Sequence, residues 1–79
     1  MAFTVQVRLV GGDIAGQMAE IRHWLDREDI DPSLFQYRRM DADGVLCRID
    51  FKDHSDAAAF SETFADAVVG WYPSGKGRL

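Results

Sequence analysis

The chain has 79 residues, of which 47% are hydrophobic and 28% are charged, with a formal net charge of −4 and one cysteine. This balance predicts one small globular domain and excludes a disordered chain, while a single thiol excludes an intrachain disulfide and a metal site built from several cysteines. The negative charge argues against nucleic acid as a partner, and no segment is apolar for long enough to form a membrane helix. We expect a cytoplasmic protein, with one domain at residues 1–72 and a flexible tail at 73–79.

Residues 3–9 alternate strictly between apolar and polar side chains, which predicts a half-buried first strand. The polar side chains of this strand are Thr4, Gln6 and Arg8. Gly11 and Gly12 end it, at a place where nucleotide-binding proteins carry a phosphate loop. The spacing of a dinucleotide or P-loop motif is absent, and Asp13 would put a negative charge where the phosphate binds. We therefore expect a turn, with Asp13 as the N-cap of a helix.

The next segment has the apolar spacing of a helix of about four turns. Its apolar stripe consists of Ile14, Met18, Ile21 and Leu25, and Trp24 lies beside that stripe. An acidic loop, "DREDIDP", follows, and Pro32 prevents the helix from continuing.

Two strands joined by a hairpin are predicted in "SLFQYRRM" and "VLCRIDF", because Asp43-Gly44 between them is a strong turn signal. In the second strand, Phe35 and Tyr37 face one side, and Gln36 and Arg38 face the other. In the third strand the outward residues are Leu46, Arg48 and Asp50.

A second helix is predicted from Asp53 onwards, with that aspartate as its cap. Its apolar stripe consists of Ala57, Phe60, Phe64, Ala67 and Val68. Residues 68–72 are compatible with a short fourth strand, and equally with no strand at all. Without a fourth strand, the first strand would be an open edge, which invites pairing with a second subunit.

The order of elements, βαββα(β), predicts an α+β two-layer sandwich with both helices on one face of an antiparallel sheet. It resembles the ferredoxin-like arrangement, β-α-β-β-α-β. From the handedness of helical crossovers we expect strands 1 and 3 to be parallel across the first helix. The segment "FKDHSDAAAFSETF" also resembles the last helix of many short uncharacterised bacterial α/β proteins. That resemblance covers about a quarter of the chain and implies no activity, cofactor or site residue.

The residues do not form a catalytic or metal-binding pattern. His23 and His54 lie on different predicted helices, and the acidic residues of "DREDID" and "DADG" are typical of solvated turns. The candidate binding residues are the three arginines of the outward sheet face, Arg8, Arg38 and Arg48, which suit an anion or an acidic partner. Trp71 and Tyr72 either fold back over the core or form an aromatic anchor for a partner.

These patterns favour a non-enzymatic module without cofactor or metal, which self-associates as a homodimer or binds another protein through the sheet face or edge. An alternative is a small dimeric α+β-barrel enzyme of the cofactor-free monooxygenase or isomerase type, with a pocket between sheet and helices near His23, Trp24 and Tyr37. A third is anion or nucleic-acid binding on the sheet face, although "VLCRIDF" lacks the outward aromatic residue on which RNA-recognition domains stack bases. The small-molecule ligand, if there is one, cannot be read from the sequence.

Overall fold

Four strands and two helices follow one another in a computed structural model that describes residues 2–40 and 44–74. Their bounds are β1 Ala2–Val10, α1 Ile14–Arg27, β2 Leu34–Arg39, β3 Gly44–Phe51, α2 His54–Thr63 and β4 Val68–Ser74. None of the helices in these two ranges is long and apolar enough to cross a membrane.

The strands form one open sheet in the order β2-β3-β1-β4, and every neighbouring pair is antiparallel. The expected parallel arrangement of strands 1 and 3 is therefore wrong, since β1 and β3 pair antiparallel from Phe3 opposite Phe51 to Val10 opposite Gly44. The strands that run in the same direction are β1 and β2, with β3 between them. Helix α1 connects β1 to β2, so the preference for a right-handed crossover between parallel strands applies to β1 and β2 and not to β1 and β3.

The fourth strand, which the sequence left undecided, is present and pairs with β1, so strand 1 is not an open edge. β4 reaches Ser74, and residues 75–79 of the predicted tail lie outside the described residues. The register shifts between Gln6 and Val7, which places a β-bulge in this pairing. The backbone N–H of Arg8 donates to the carbonyl oxygen of Ala67 at 2.8 Å, just before the strand begins. The edges of the sheet are therefore β2 and β4.

Both helices pack on the same face of the sheet, which gives the expected two-layer α+β arrangement. The core combines buried residues of β1, β3, α1 and α2: Val5, Val7, Leu9, Ile21, Trp24, Leu25, Val45, Cys47, Ile49, Phe51, Ala57 and Phe60. The Trp24 ring lies edge-on to Phe60 and Phe64, with centroid distances of 5.6 and 5.9 Å. Trp24 therefore joins the two helices. α2 ends at Thr63, earlier than the apolar stripe suggests, but Phe64, Ala67 and Val68 still pack against the core beyond it.

The turn between β1 and α1 has the predicted form. The carboxylate of Asp13 accepts a hydrogen bond from the backbone N–H of Gly16 at 3.1 Å, so the N-cap is confirmed. Gly11 has φ +101°, a conformation that glycine adopts without strain. Asp53 also occupies an N-cap position, but its side chain makes no capping hydrogen bond.

Candidate functional site

The side of the sheet away from the helices, here called the open face, is built from alternate residues of the four strands. Residues directly opposite one another in neighbouring strands share a face. The register therefore gives one row across the sheet of Leu34, Asp50, Thr4 and Tyr72, and a second of Gln36, Arg48, Gln6 and Gly70. A third row consists of Arg38, Leu46 and Arg8. The predicted outward positions of the first three strands are thus confirmed by the register.

The three candidate arginines surround Leu46. Arg38 and Arg8 are its direct neighbours on β2 and β1, so their Cα atoms lie about 10 Å apart, twice the spacing between strands. Arg48 lies two residues along β3 on the same face. Long arginine side chains can lay their apolar stems against a leucine and keep their charged ends in water. The arrangement is a small apolar centre framed by three positive charges.

A buried polar network lies beside these arginines. The hydroxyl of Thr4 donates to Oδ1 of Asp50 at 2.6 Å, and Nε and Nη2 of Arg48 donate to the two carboxylate oxygens at 3.3 and 3.4 Å. Thr4 is fully buried and Asp50 is 9% exposed, although both belong to the open face. The alternation of apolar and polar residues in β3 predicted that the side chain of Asp50 points to the open face. It could not predict that Asp50 is buried there, because residues of the neighbouring strands cover it. Asp50 consequently holds Arg48 in place, and it offers little surface to a partner.

A groove of about 620 Å³ follows this face along β2 and β3. It is lined by Gln6, Phe35, Gln36, Tyr37, Arg38, Leu46 and Arg48. Arg8 lies on the same face without lining the groove. The groove therefore brings together two of the three candidate arginines with amide side chains and the half-buried Leu46. Such a combination can bind carboxylates through charge-assisted hydrogen bonds.

The charges of the molecule are separated between its two layers. Asp50 is the only acidic residue on the open face within residues 2–40 and 44–74. The acidic residues of the helix layer and its loops are Asp13, Glu20, Asp26, Glu28, Asp29, Asp31, Asp53, Asp56, Glu62 and Asp66. The basic residues on that side are Arg22, Arg27 and Lys52, together with Arg39, which the register of β2 places on the helix side of the sheet. The open face is therefore positive in a chain whose formal net charge is −4.

The two aromatic residues of β4 lie on opposite faces of the sheet. Trp71 pairs with Val5 on the helix side, and its ring lies 5.2 Å from that of His54. Tyr72 pairs with Thr4 on the open face and is 44% exposed. The two side chains therefore do not form one anchor. Trp71 contacts His54 on the helix side but is still 37% exposed, and Tyr72 borders the open face.

Two of the three residues suggested for an enzyme pocket share a groove, and the third lies elsewhere. His23 and Trp24 both line a groove of about 650 Å³ between the two helices, while Tyr37 lies on β2 and lines the groove of the open face. Both grooves are open to solvent. Trp24 contributes mainly to the core, and the ring of His54 packs against Phe3 with a centroid distance of 5.3 Å.

Cys47 is a free thiol buried in the core. Burial raises the pKa of this thiol above its ordinary value of 9.0, with a smaller opposing effect from Arg22. The thiol is therefore neutral near pH 7 and a poor nucleophile. In the described part of the chain, no three histidine, cysteine or carboxylate side chains are grouped so that they could hold a metal ion. Asp41 and Asp43 of the predicted hairpin lie outside that part.

Comparison of the chain with protein-family models and with curated proteins finds no match.

Proposed function

We propose that this chain is a non-enzymatic protein-interaction module that binds an acidic surface of another protein on its open face. The observation that carries this proposal is the arginine frame around Leu46, on a sheet face whose one described carboxylate is buried. Charged partners of opposite sign steer each other into contact and set specificity. A protein partner fits this frame because an apolar side chain can contact Leu46 while neighbouring carboxylates reach the guanidinium groups.

A protein suits this face better than a nucleic acid does. Modules that bind single-stranded RNA on an open sheet stack bases on aromatic residues of their central strands. The open-face residues of β1 and β3 include no aromatic side chain, and Tyr72 stands on the edge strand β4. The ten carboxylates of the helix layer would also repel a long phosphate backbone that extended beyond the sheet.

The proposed architecture is the ferredoxin-like arrangement, with residues 1–72 as its domain. Supporting this, β1 and β3 lie in the middle of the sheet, and each helix connects two strands that have one strand between them. We place the protein in the cytoplasm, since its single cysteine is a free thiol, as suits a reducing compartment.

The test is a titration of ¹⁵N-labelled protein with a twelve-residue peptide of alternating Glu and Leu, followed by NMR. We expect amide shifts at Arg8, Arg38, Leu46 and Arg48. The double variant Arg8→Glu/Arg38→Glu should weaken binding at least tenfold, because two attractive charges become repulsive. The matched control, Arg27→Glu/Lys52→Glu, makes the same change of charge in the helix layer and should leave the affinity within twofold.

Three outcomes would contradict this function. A single-stranded RNA of twelve nucleotides that binds more tightly than the peptide would identify a nucleic-acid surface. Inorganic phosphate with equal affinity would reduce the face to a simple anion site. Equal weakening by both double variants would mean that only the overall charge matters.

A further inference from the structure

The two edge strands of the sheet differ in whether they can accept another strand. β4 carries a bulge next to Val69 and has Pro73 near its end, and both features obstruct further pairing. β2 pairs with β3 in one continuous register from Leu34 to Arg39, without a bulge or a proline. Tyr37, in the middle of β2, is 62% exposed. β2 is therefore the edge that remains available.

The free backbone groups of this edge can be assigned from the hairpin. The N–H of Met40 donates to the carbonyl oxygen of Gly44 at 2.9 Å, so this pair is a hydrogen-bonded pair. Hydrogen-bonded and non-hydrogen-bonded pairs alternate along an antiparallel ladder. Gln36 and Arg38 therefore direct their backbone groups to β3, whereas Phe35 and Tyr37 direct theirs to the free edge.

We propose that β2 pairs antiparallel with β2 of a second copy of this chain, around a two-fold axis at Gln36. In this register Phe35 and Tyr37 of each copy exchange backbone hydrogen bonds with Tyr37 and Phe35 of the other. The helices of both copies lie on the same side of the combined sheet, because each pair joins residues that belong to the same sheet face in their own copy. Each aromatic pair also adds a cross-strand contact. Phe35 already has a defined position, since the guanidinium of Arg22 lies 4.6 Å above its ring.

The charges of the described residues around β2 favour antiparallel pairing of two copies. Asp29 and Asp31 precede the strand, and Arg38 and Arg39 end it. Antiparallel pairing of two identical copies therefore brings the acidic start of each segment towards the basic end of the other, twice. Moving the axis from residue 36 to residue 38 would instead place Arg38 opposite Arg38 of the other copy, which like charges disfavour.

The experiment is site-directed disulfide cross-linking of Gln36→Cys in a Cys47→Ala background, oxidised with diamide. Position 36 forms a non-hydrogen-bonded pair on the axis, where the short distance suits a disulfide. We expect a cross-linked dimer. Gln6→Cys is the matched control, because it is also an open-face glutamine but lies on the interior strand β1, and it should stay monomeric.

Sedimentation equilibrium of the unlabelled protein then measures the affinity. Tyr37→Lys should raise the dimer dissociation constant at least tenfold, with an unchanged circular dichroism spectrum. Arg39→Asp should also weaken the dimer, and Asp31→Arg added to it should restore affinity by exchanging the charges. A monomer at 1 mM overturns the proposal, as does a dimer that Tyr37→Lys leaves intact or that cross-links at position 37 instead of 36. Arg38 belongs to both proposals, but Tyr37→Lys leaves Arg8, Leu46 and Arg48 unchanged. Dimerisation lost in this variant with peptide binding retained, or the reverse in a variant of Arg8 alone, therefore separates the two proposals.

Discussion

At the scale of single residues, the most informative side chains are polar or reactive groups that the fold has removed from water. Thr4 and Asp50 lie on the face without helices, yet both are buried and bonded to each other. A buried carboxylate that loses one donor keeps most of its desolvation cost. Thr4 should therefore matter more for stability than a threonine on an open sheet face usually does.

Thr4→Val should lower the free energy of unfolding by about 1–3 kcal/mol, because it keeps the shape of the side chain and removes the donor to Asp50. Urea denaturation followed by tryptophan fluorescence measures this loss. Thr4→Ser retains the hydroxyl and should cost clearly less. Equal losses in the two variants would show that packing, rather than the hydrogen bond, holds this position.

Cys47 should make stability depend on pH at the alkaline end. Its pKa is raised in the folded state, so the folded protein holds the thiol proton more tightly than the unfolded chain. The resulting stabilisation is complete below the ordinary pKa of 9.0 and is lost as the pH rises through the folded pKa. The free energy of unfolding, measured by urea denaturation at several pH values between 8 and 11, should therefore change less with pH for Cys47→Ala than for the parent protein. The native thiol should also react with iodoacetamide only after unfolding; rapid native labelling at pH 8 would refute its burial.

At the scale of elements, the sequence was sufficient to predict a helix or strand and its buried face wherever a pattern of apolar residues repeats along one segment. Alternation gave the faces of β1, β2 and β3, and the Asp13 cap followed from capping chemistry. β4 could not be decided from its own residues, because Gly70 and Pro73 weaken the strand pattern and pairing with a distant β1 compensates for them. The same dependence on distant contacts explains why the mutual direction of β1 and β3, and the separation of Trp71 from Tyr72, were not predicted.

The end of α1 contains a strained residue. Asp29 has φ +58°, while the N–H of Ile30 bonds back to the carbonyl oxygen of Leu25 at 2.9 Å. Glycine is the usual residue in this left-handed position. Asp29→Gly should therefore raise the unfolding free energy by about 0.5–1 kcal/mol in thermal or urea denaturation. Glu28→Gly, one residue earlier at φ −85°, is the control and should lower it. A loss in both variants would indicate that the Asp29 side chain has a role of its own.

At the scale of the whole molecule, the separation of charge has a cost in the helix layer. Ten carboxylates and only four basic residues lie on the helix side of the sheet. Glu62 lies near the C-terminal end of α2, where the helix dipole also disfavours negative charge. The positive open face is thus accompanied by a helix layer whose negative charges repel one another. Screening by salt should relieve that repulsion.

Glu62→Lys should consequently raise the unfolding free energy by about 0.5–1 kcal/mol at low ionic strength, with Glu62→Gln giving about half of this gain. At 0.5 M NaCl the gain should shrink substantially, since exposed charges are then screened. Thermal denaturation of the three proteins at both salt concentrations checks this. A gain that does not change with salt would point to helix propensity instead of charge.

The bulge and Pro73 of β4 determine how far the proposed pairing can extend. A sheet with two receptive sides can add copies indefinitely, and such head-to-tail or side-by-side addition is how fibres arise. Here the β4 edge cannot accept another strand. Two-fold pairing of β2 with β2 occupies the remaining edge of both copies. Assembly would then terminate at two chains, with eight strands in one sheet, twice the four of a single copy. The irregular fourth strand would thus limit assembly to a dimer and prevent the exposed β2 edge from leading to aggregation.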